Sequence, residues 1–137
     1  MEFNRGLSLA EMYSKCSECK TRKVGCVILN DKTGEVVSYG YNKPLSTSWC
    51  TTCNRESGKN LDKCMAIHAE AMALSDLPSD VNIDDLTMYL TTEPCTRCGV
   101  EIAYKGIKRV YWRDDYPYSL AGYILHCHDI DGGKINE

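Results

Sequence analysis

Two short segments carry the chemistry: His68-Ala-Glu70 and Pro94-Cys-Thr-Arg-Cys98. One imidazole and two thiols make three ligands for a tetrahedral ion. Three leave the fourth position to water, the arrangement of a catalytic zinc rather than a structural one. Both segments fall where helices are expected to begin, and the positive end of a helix favours thiolate over thiol. Glu70 stands two residues past His68, about 200° round a helix, so it need not bind the same ion. It can instead reach the ion's water as a general acid and base. Read singly, His68 is a partly buried histidine, Glu70 a solvated helix carboxylate, and Cys95 and Cys98 core thiols or half of a structural site. Read together they make one hydrolytic centre.

The chain has 137 residues, a net charge of -3, 43% hydrophobic and 26% charged residues. That is enough for a core, and residues 1–137 are expected to form a single domain. No apolar run approaches the roughly 20 residues of a membrane helix. The opening Met-Glu-Phe-Asn-Arg-Gly has no apolar stretch of signal-peptide length. The acidic balance opposes binding that rests on neutralising phosphates. No membrane and no nucleic acid are therefore expected as partners, and the expected location is the cytoplasm (a host's, for a viral chain).

The ligands need elements to hold them. Residues 7–16 have helical spacing, and 24–29 and 35–41 are β-rich runs joined by the turn residues Asn30-Asp-Lys-Thr-Gly34. These two runs should pair as an antiparallel hairpin. Residues 42–63 are polar and aperiodic. Helical spacing returns over 66–74, a strand over 86–91, a helix over 96–105 with Gly106 at its C-cap, a strand over 107–112, and a last helix over 119–126 before a short tail. The order α-β-β-α-β-α-β-α predicts an α/β fold with a mixed sheet, parallel in its later crossover.

Nine cysteines occur, at 16, 19, 26, 50, 53, 64, 95, 98 and 127. An odd number in a reducing compartment reads as metal binding before disulfides. Cys26 and Cys127 lie in apolar surroundings and are expected to be small buried hydrophobes. Trp49-Cys-Thr-Thr-Cys53 has a thioredoxin-type spacing, but it sits in a loop after Pro44 rather than between a strand and a helix. Lys15, Lys20, Arg22 and Lys23 face one acid, Glu18, in an otherwise acidic chain. Arg22 or Lys23 can meet a phosphate, or the segment is a solvated basic turn.

The His-x-Glu…Pro-Cys-x-x-Cys combination is the known signature of zinc nucleobase deaminases. With it stand Thr21-Arg-Lys-Val-Gly-Cys26, Gly40-Tyr-Asn42, Thr92-Glu-Pro-Cys-Thr-Arg-Cys98, Gly106-Ile-Lys-Arg-Val110 and Asp114-Asp-Tyr116. Over residues 7–126 the chain resembles the zinc-dependent cytidine/deoxycytidylate deaminase superfamily, and within it the deoxycytidylate (dCMP) deaminases. The resemblance implies a cytidine-deaminase-like three-layer α/β/α sandwich with a mixed central sheet. It implies zinc on His68, Cys95 and Cys98, with water activated there attacking C4 of cytosine and Glu70 shuttling the proton. Asn42 would contact the nucleoside, the Ala69 N–H the cytosine carbonyl and the Thr92 carbonyl the exocyclic amine. Val24 would pack on the ring, and Tyr116 would wall the pocket. A second, closed zinc site on Cys19, Cys50, Cys53 and Cys64, with Cys16 as a substitute, is also implied. It would clamp a long loop that buries little apolar surface. Relatives are often hexamers, so a homo-oligomer is expected.

One departure bears on regulation. The dCMP branch usually reads Gly-Tyr-Asn-Gly, and here Lys43 replaces the last glycine, followed by Pro44. In regulated relatives this segment lies at the effector site for activation by dCTP, with Mg²⁺, and inhibition by dTTP. Lys43 would add a phosphate contact or crowd the effector out. The expected reaction is dCMP to dUMP, in supply of thymidylate synthesis. The same chemistry on dCTP, free cytidine nucleosides or tRNA adenosine is the alternative, and a zinc-stabilised binding module is the non-enzymatic one. Eight carboxylates against Lys63 and Arg97 across residues 62–101 disfavour an RNA substrate.

Overall fold

In a computed structural model, which describes residues 2–19, 22–44, 66–116 and 119–135, the β-rich runs and helical stretches build one sheet between helices. Helix α1 (Glu2–Ser14) leads to β1 (Gly25–Asn30) and β2 (Val36–Tyr41). A two-residue pair follows, β3 (Lys43–Pro44) with β4 (Ala66–Ile67). Then come α2 (Ala69–Ser75), a 3-10 turn (Ile83–Asp85), β5 (Leu86–Thr92), α3 (Thr96–Lys105), β6 (Arg109–Asp114), α4 (Ala121–Cys127) and β7 (Asp131–Lys134). The main sheet runs β2-β1-β5-β6-β7. β1 is antiparallel to both β2 and β5, while β5, β6 and β7 are parallel. Among the described residues no helix is long and apolar enough to cross a membrane.

The period-2 alternation of the central strands explains the layers. Cys26 and Ile28 of β1 point to one face with Leu86, Met88 and Leu90 of β5, where Ala69, Ala73, Ile102 and Leu125 of α2, α3 and α4 cover them. Val27, Leu29 and Tyr89 point to the other face, under Leu7 and Ala10 of α1. Both faces are covered, so β5 is buried along its whole length, as expected of a strand at the centre of an α/β sandwich. The expected α/β/α layers and mixed sheet are those observed.

The hairpin forms where its turn residues stand. Asn30 Oδ1 accepts from the backbone N–H groups of Lys32 and Thr33, and Gly34 takes a positive φ of 75°. Gly106 likewise caps α3 with φ 93°.

Several boundaries differ from expectation. The helix expected over 66–74 begins at Ala69: Ala66–Ile67 pairs with Lys43–Pro44 instead, which holds the chain extended up to His68. A β pairing with a distant segment overrides local helical spacing. α1 begins earlier than expected and stops at Ser14 in a run of tight turns through Ser17. β6 starts two residues late because the Gly106 cap uses up Ile107 and Lys108, and its register with β5 extends to Asp114. α4 starts two residues late, and the expected tail contains β7. Its Gly132-Gly133 has little strand propensity of its own, but Gly132 packs so closely on the Val110 carbonyl that a side chain has no room. Cys26 is buried as expected, whereas Cys127 is exposed. It follows buried Leu125 by two residues, about 200° round the helix, and faces away from the core.

A close backbone approach in the site's scaffold is at Gly40. A Cβ there would overlap the Ala69 carbonyl oxygen and crowd the Ala73 N–H. The helix that starts beside His68 therefore rests directly on β2. Gly40→Ala is expected to cost about 1–3 kcal/mol, the usual penalty for overpacking, as measured by urea unfolding.

Candidate active site

Two helix starts meet at one end of the sheet. His68 is the N-cap of α2, with φ -77° and ψ 153°, and Cys95 is the N-cap of α3 with φ -68° and ψ 166°. Neither cap side chain bonds its own helix, and the two turn toward each other. The loop carrying Cys95 follows the end of β5, and fully buried Pro94 anchors it. Cys98 lies in the first turn of α3 and is 3% exposed.

His68 Nδ1 lies 3.4 Å from Cys95 Sγ and 3.4 Å from Cys98 Sγ. All three donor atoms fall within 4.8 Å of one another. Tetrahedral zinc with Zn–S of about 2.3 Å and Zn–N of about 2.0–2.1 Å places nitrogen and sulfur about 3.5 Å apart. The donor set and its spacing therefore fit zinc. The two thiols share their protons unequally. The Cys98 thiol's hydrogen bond and nearby His68 pull Cys95 down to about 4 against its burial, and Cys98 is correspondingly raised. Cys95 is thereby the readier of the two thiols to ligate, and binding of a cation would displace the remaining proton.

Glu70 enters from the first turn of α2 and is 4% exposed. Its burial pushes the carboxyl up to about 7, against the opposing pull of its own backbone N–H, of His68 and of the Cys98 thiol. A carboxyl that holds and gives up a proton near neutrality is suited to proton transfer. Cys26 lies deeper in the core, its thiol raised by burial and by Glu70.

His68, Glu70 and Cys95 line a cavity that also gathers Arg22, Val24, Asn42, Ala69, Thr92 and Tyr116. All six residues expected to touch a substrate thus stand around the donor cluster. Asn42 is engaged more fully than expected. Its Oδ1 accepts from the Val24 N–H at 2.8 Å and its Nδ2 donates to the Arg22 carbonyl at 2.7 Å. It is thereby the clamp that holds the 22–24 segment over the cavity. The Arg22 guanidinium lies 4.6 Å above the Tyr116 ring. Among the described residues its Nη1 is a buried polar atom with no hydrogen-bond partner. Lys23 instead turns out to donate to the Ser17 carbonyl, so of the two basic residues Arg22 is the one in the cavity. Glu93 also lines it and was not singled out from sequence. The only signal for it was its place in the Thr92-Glu-Pro-Cys run.

Lys43 is exposed on β3, beside Asn42 and outside the cavity lining. Of the second set of cysteines, Cys19 is buried and Cys16 exposed. Cys50, Cys53 and Cys64, together with the redox-like Trp49–Cys53 spacing and most of the 42–63 stretch, lie outside the described residues.

The sequence matches the family model of the cytidine and deoxycytidylate deaminase zinc-binding region over residues 4–113. It is 33% identical over 118 residues to the deoxycytidylate deaminase of Schizosaccharomyces pombe, an alignment covering 80% of this chain and 36% of that protein. It is 33% identical over 117 residues to the deoxycytidylate deaminase of Mycobacterium phage D29, covering 77% of this chain and 89% of that one. The chain thus spans about a third of the yeast relative's length and most of the phage relative's. Its fold superposes with a TM-score of 0.76 and 27% identity on the dCMP deaminase of cyanophage S-TIM5, solved in complex with dCMP and dUMP, over 96% of this chain and 95% of that one. By the family match over residues 4–113, the chain belongs to the cytidine and deoxycytidylate deaminase zinc-binding family.

Proposed function

We propose that this chain, as one deaminase domain, hydrolyses dCMP to dUMP and ammonia. The observation that carries the reading is the buried Glu70 carboxyl, raised to about 7 beside a His/Cys/Cys donor triad. The phage relatives named above support the nucleotide substrate. Zinc on His68, Cys95 and Cys98 would acidify a water and so supply the nucleophile. Glu70 takes that water's proton, delivers it to N3 of the cytosine ring as C4 is attacked, and later protonates the departing amine. The Ala69 N–H donates to the ring carbonyl, the Thr92 carbonyl accepts from the exocyclic amine, and Val24 packs on the ring. Arg22, with a buried N–H and no acceptor among the described residues, is the group for the 5′-phosphate.

The finer assignments belong to the same proposal. A cytoplasmic homo-oligomer, a second zinc using Cys19 with Cys50, Cys53 and Cys64, and control by dCTP and dTTP through Lys43 complete it. Among the described residues the metal-ligating cluster is the His/Cys/Cys triad, and none answers to Mg²⁺.

The test is ammonia release from zinc-loaded protein given dCMP, dCTP, deoxycytidine, cytidine and a tRNA anticodon stem-loop separately. Turnover of dCMP well above the others is expected. Turnover confined to unphosphorylated nucleosides or RNA would sink the dCMP assignment, and silence on all would favour a binding module. Arg22→Ala is expected to narrow the preference for dCMP over deoxycytidine by about ten- to hundredfold, the worth of a hydrogen bond to a charged group. The ratio of the two kcat/KM values reads it out.

A further inference from the structure

We infer that Glu93 is a positioning residue that latches the β6–α4 crossover to the metal-donor loop and thereby holds Tyr116 against Arg22. The inference rests on the deamination reading. The turn carrying Cys95 and the start of α4 are joined by hydrogen bonds on both sides of the crossover. Glu93 N–H donates to the Asp114 carbonyl at 2.7 Å, and Glu93 Oε1 accepts from the Tyr116 N–H at 3.1 Å. On the far side, Ser119 Oγ donates to the Pro94 carbonyl at 2.6 Å and the Leu120 N–H donates to Thr96 Oγ1 at 3.0 Å.

Most of these bonds use backbone groups or small hydroxyls. Glu93 contributes the charged acceptor, and it grips the residue that, among the described residues of the crossover, lines the cavity and lies under the Arg22 guanidinium. A charge-assisted bond to a backbone N–H is among the stronger kinds. Asp115, the residue before, is held from the other direction by Trp112 Nε1 at 3.1 Å. The Tyr116 backbone is thus held by the Glu93 carboxylate, and the residue before it by a side-chain bond to Trp112. The same four-residue run that supplies Cys95 to the ion also sets the wall on which the phosphate-binding arginine rests. Glu93 thus uses the rigid donor loop as the anchor from which the phosphate end of the cavity is held.

The consequence is a particular kinetic signature. Glu93→Ala raises KM for dCMP about tenfold while kcat changes by less than about threefold, because binding is loosened and the reacting groups stay in place. Glu93→Gln, which keeps the amide oxygen as acceptor and removes the charge, holds KM within about twofold. In a Tyr116→Ala background, Glu93→Ala adds less than about twofold, since the group it positions is gone. Amide hydrogen exchange at Tyr116 is fast in E93A and slow in the wild type and E93Q. Unchanged KM and exchange in E93A, an E93Q as impaired as E93A, additivity with Y116A, or loss of zinc from E93A would each overturn the assignment. A wild type that does not turn over dCMP would sink the deamination reading instead, and Tyr116 exchange in the three proteins would still decide whether Glu93 is the latch.

Discussion

Glu70→Gln is expected to cut dCMP turnover by about 10³-fold or more while zinc stays bound at about one per chain. The reason is the environment of the carboxyl. It is buried, sits in the first turn of α2 and is not one of the three metal donors. Glutamine has the same shape and no transferable proton, so the cavity persists while the proton route from water to N3 is cut. Burial already disfavours the ionised carboxylate, so the neutral amide should not weaken the fold. A melting temperature within a few degrees of wild type is expected, together with unchanged metal content by atomic absorption. Residual turnover above about a tenth of wild type would remove Glu70 from the proton path and return it to a structural role.

That expectation could be written from sequence because its residues are local in the chain and constrained by chemistry. His68 and Glu70 are two apart, Cys95 and Cys98 three apart, and each pair opens a helix. Helix starts carry recognisable signals, and a three-ligand zinc site admits few residue types. The layers were legible for a similar reason: the hairpin turn, the Gly106 cap and the alternation in β1 and β5 are local signals. What stayed hidden was set by distant partners. Ala66-Ile67 has helical spacing and becomes a strand because Lys43–Pro44 lies beside it. Gly132-Gly133 becomes a strand because β6 offers an open edge. Asn42 is expected as a substrate contact, and no sequence signal reveals that both ends of its amide hold the 22–24 backbone. Glu93 escaped for the same reason, because its partner Tyr116 is 23 residues away.

These non-local contacts explain why the site is built at this end of the sheet. β5 is buried along its length between β1 and β6, and the chain leaves its C-terminal end directly into the Cys95 turn. α2 is pressed onto β2 at Gly40, where a side chain would not fit. Two helix starts are therefore fixed relative to one another through a rigid sheet rather than through flexible loops. Cavity-lining residues come from segments pinned to that frame: Arg22 and Val24 by Asn42, Tyr116 by Glu93. A catalytic constellation needs this kind of support, since small displacements of reacting groups are costly.

The metal donors should respond differently from Glu70. Cys98→Ser is expected to lower zinc content from about one to less than about a tenth per chain, to abolish turnover and to destabilise the fold, because a serine hydroxyl is a poor zinc ligand. Cys98 is nearly inaccessible and sits 3.4 Å from His68 Nδ1, in the α3 turn that also presents Cys95. Losing it leaves one thiolate and one imidazole, too few to hold the ion against solvent. Binding to the native state alone stabilises by about 4 kcal/mol at a thousandfold excess of metal over its dissociation constant. For a domain of this size that corresponds to a melting temperature about 14 °C lower in C98S, or in wild type treated with a chelator. The two treatments should not add, since both remove the same ion. Cys127→Ser is the control: Cys127 is exposed and outside the donor cluster, so its zinc content, melting temperature and turnover should match wild type. If C98S kept its zinc and its activity, the triad would not be the metal site. If it lost zinc without losing stability, the site would bind metal in a frame that the sheet and helices already hold rigid on their own.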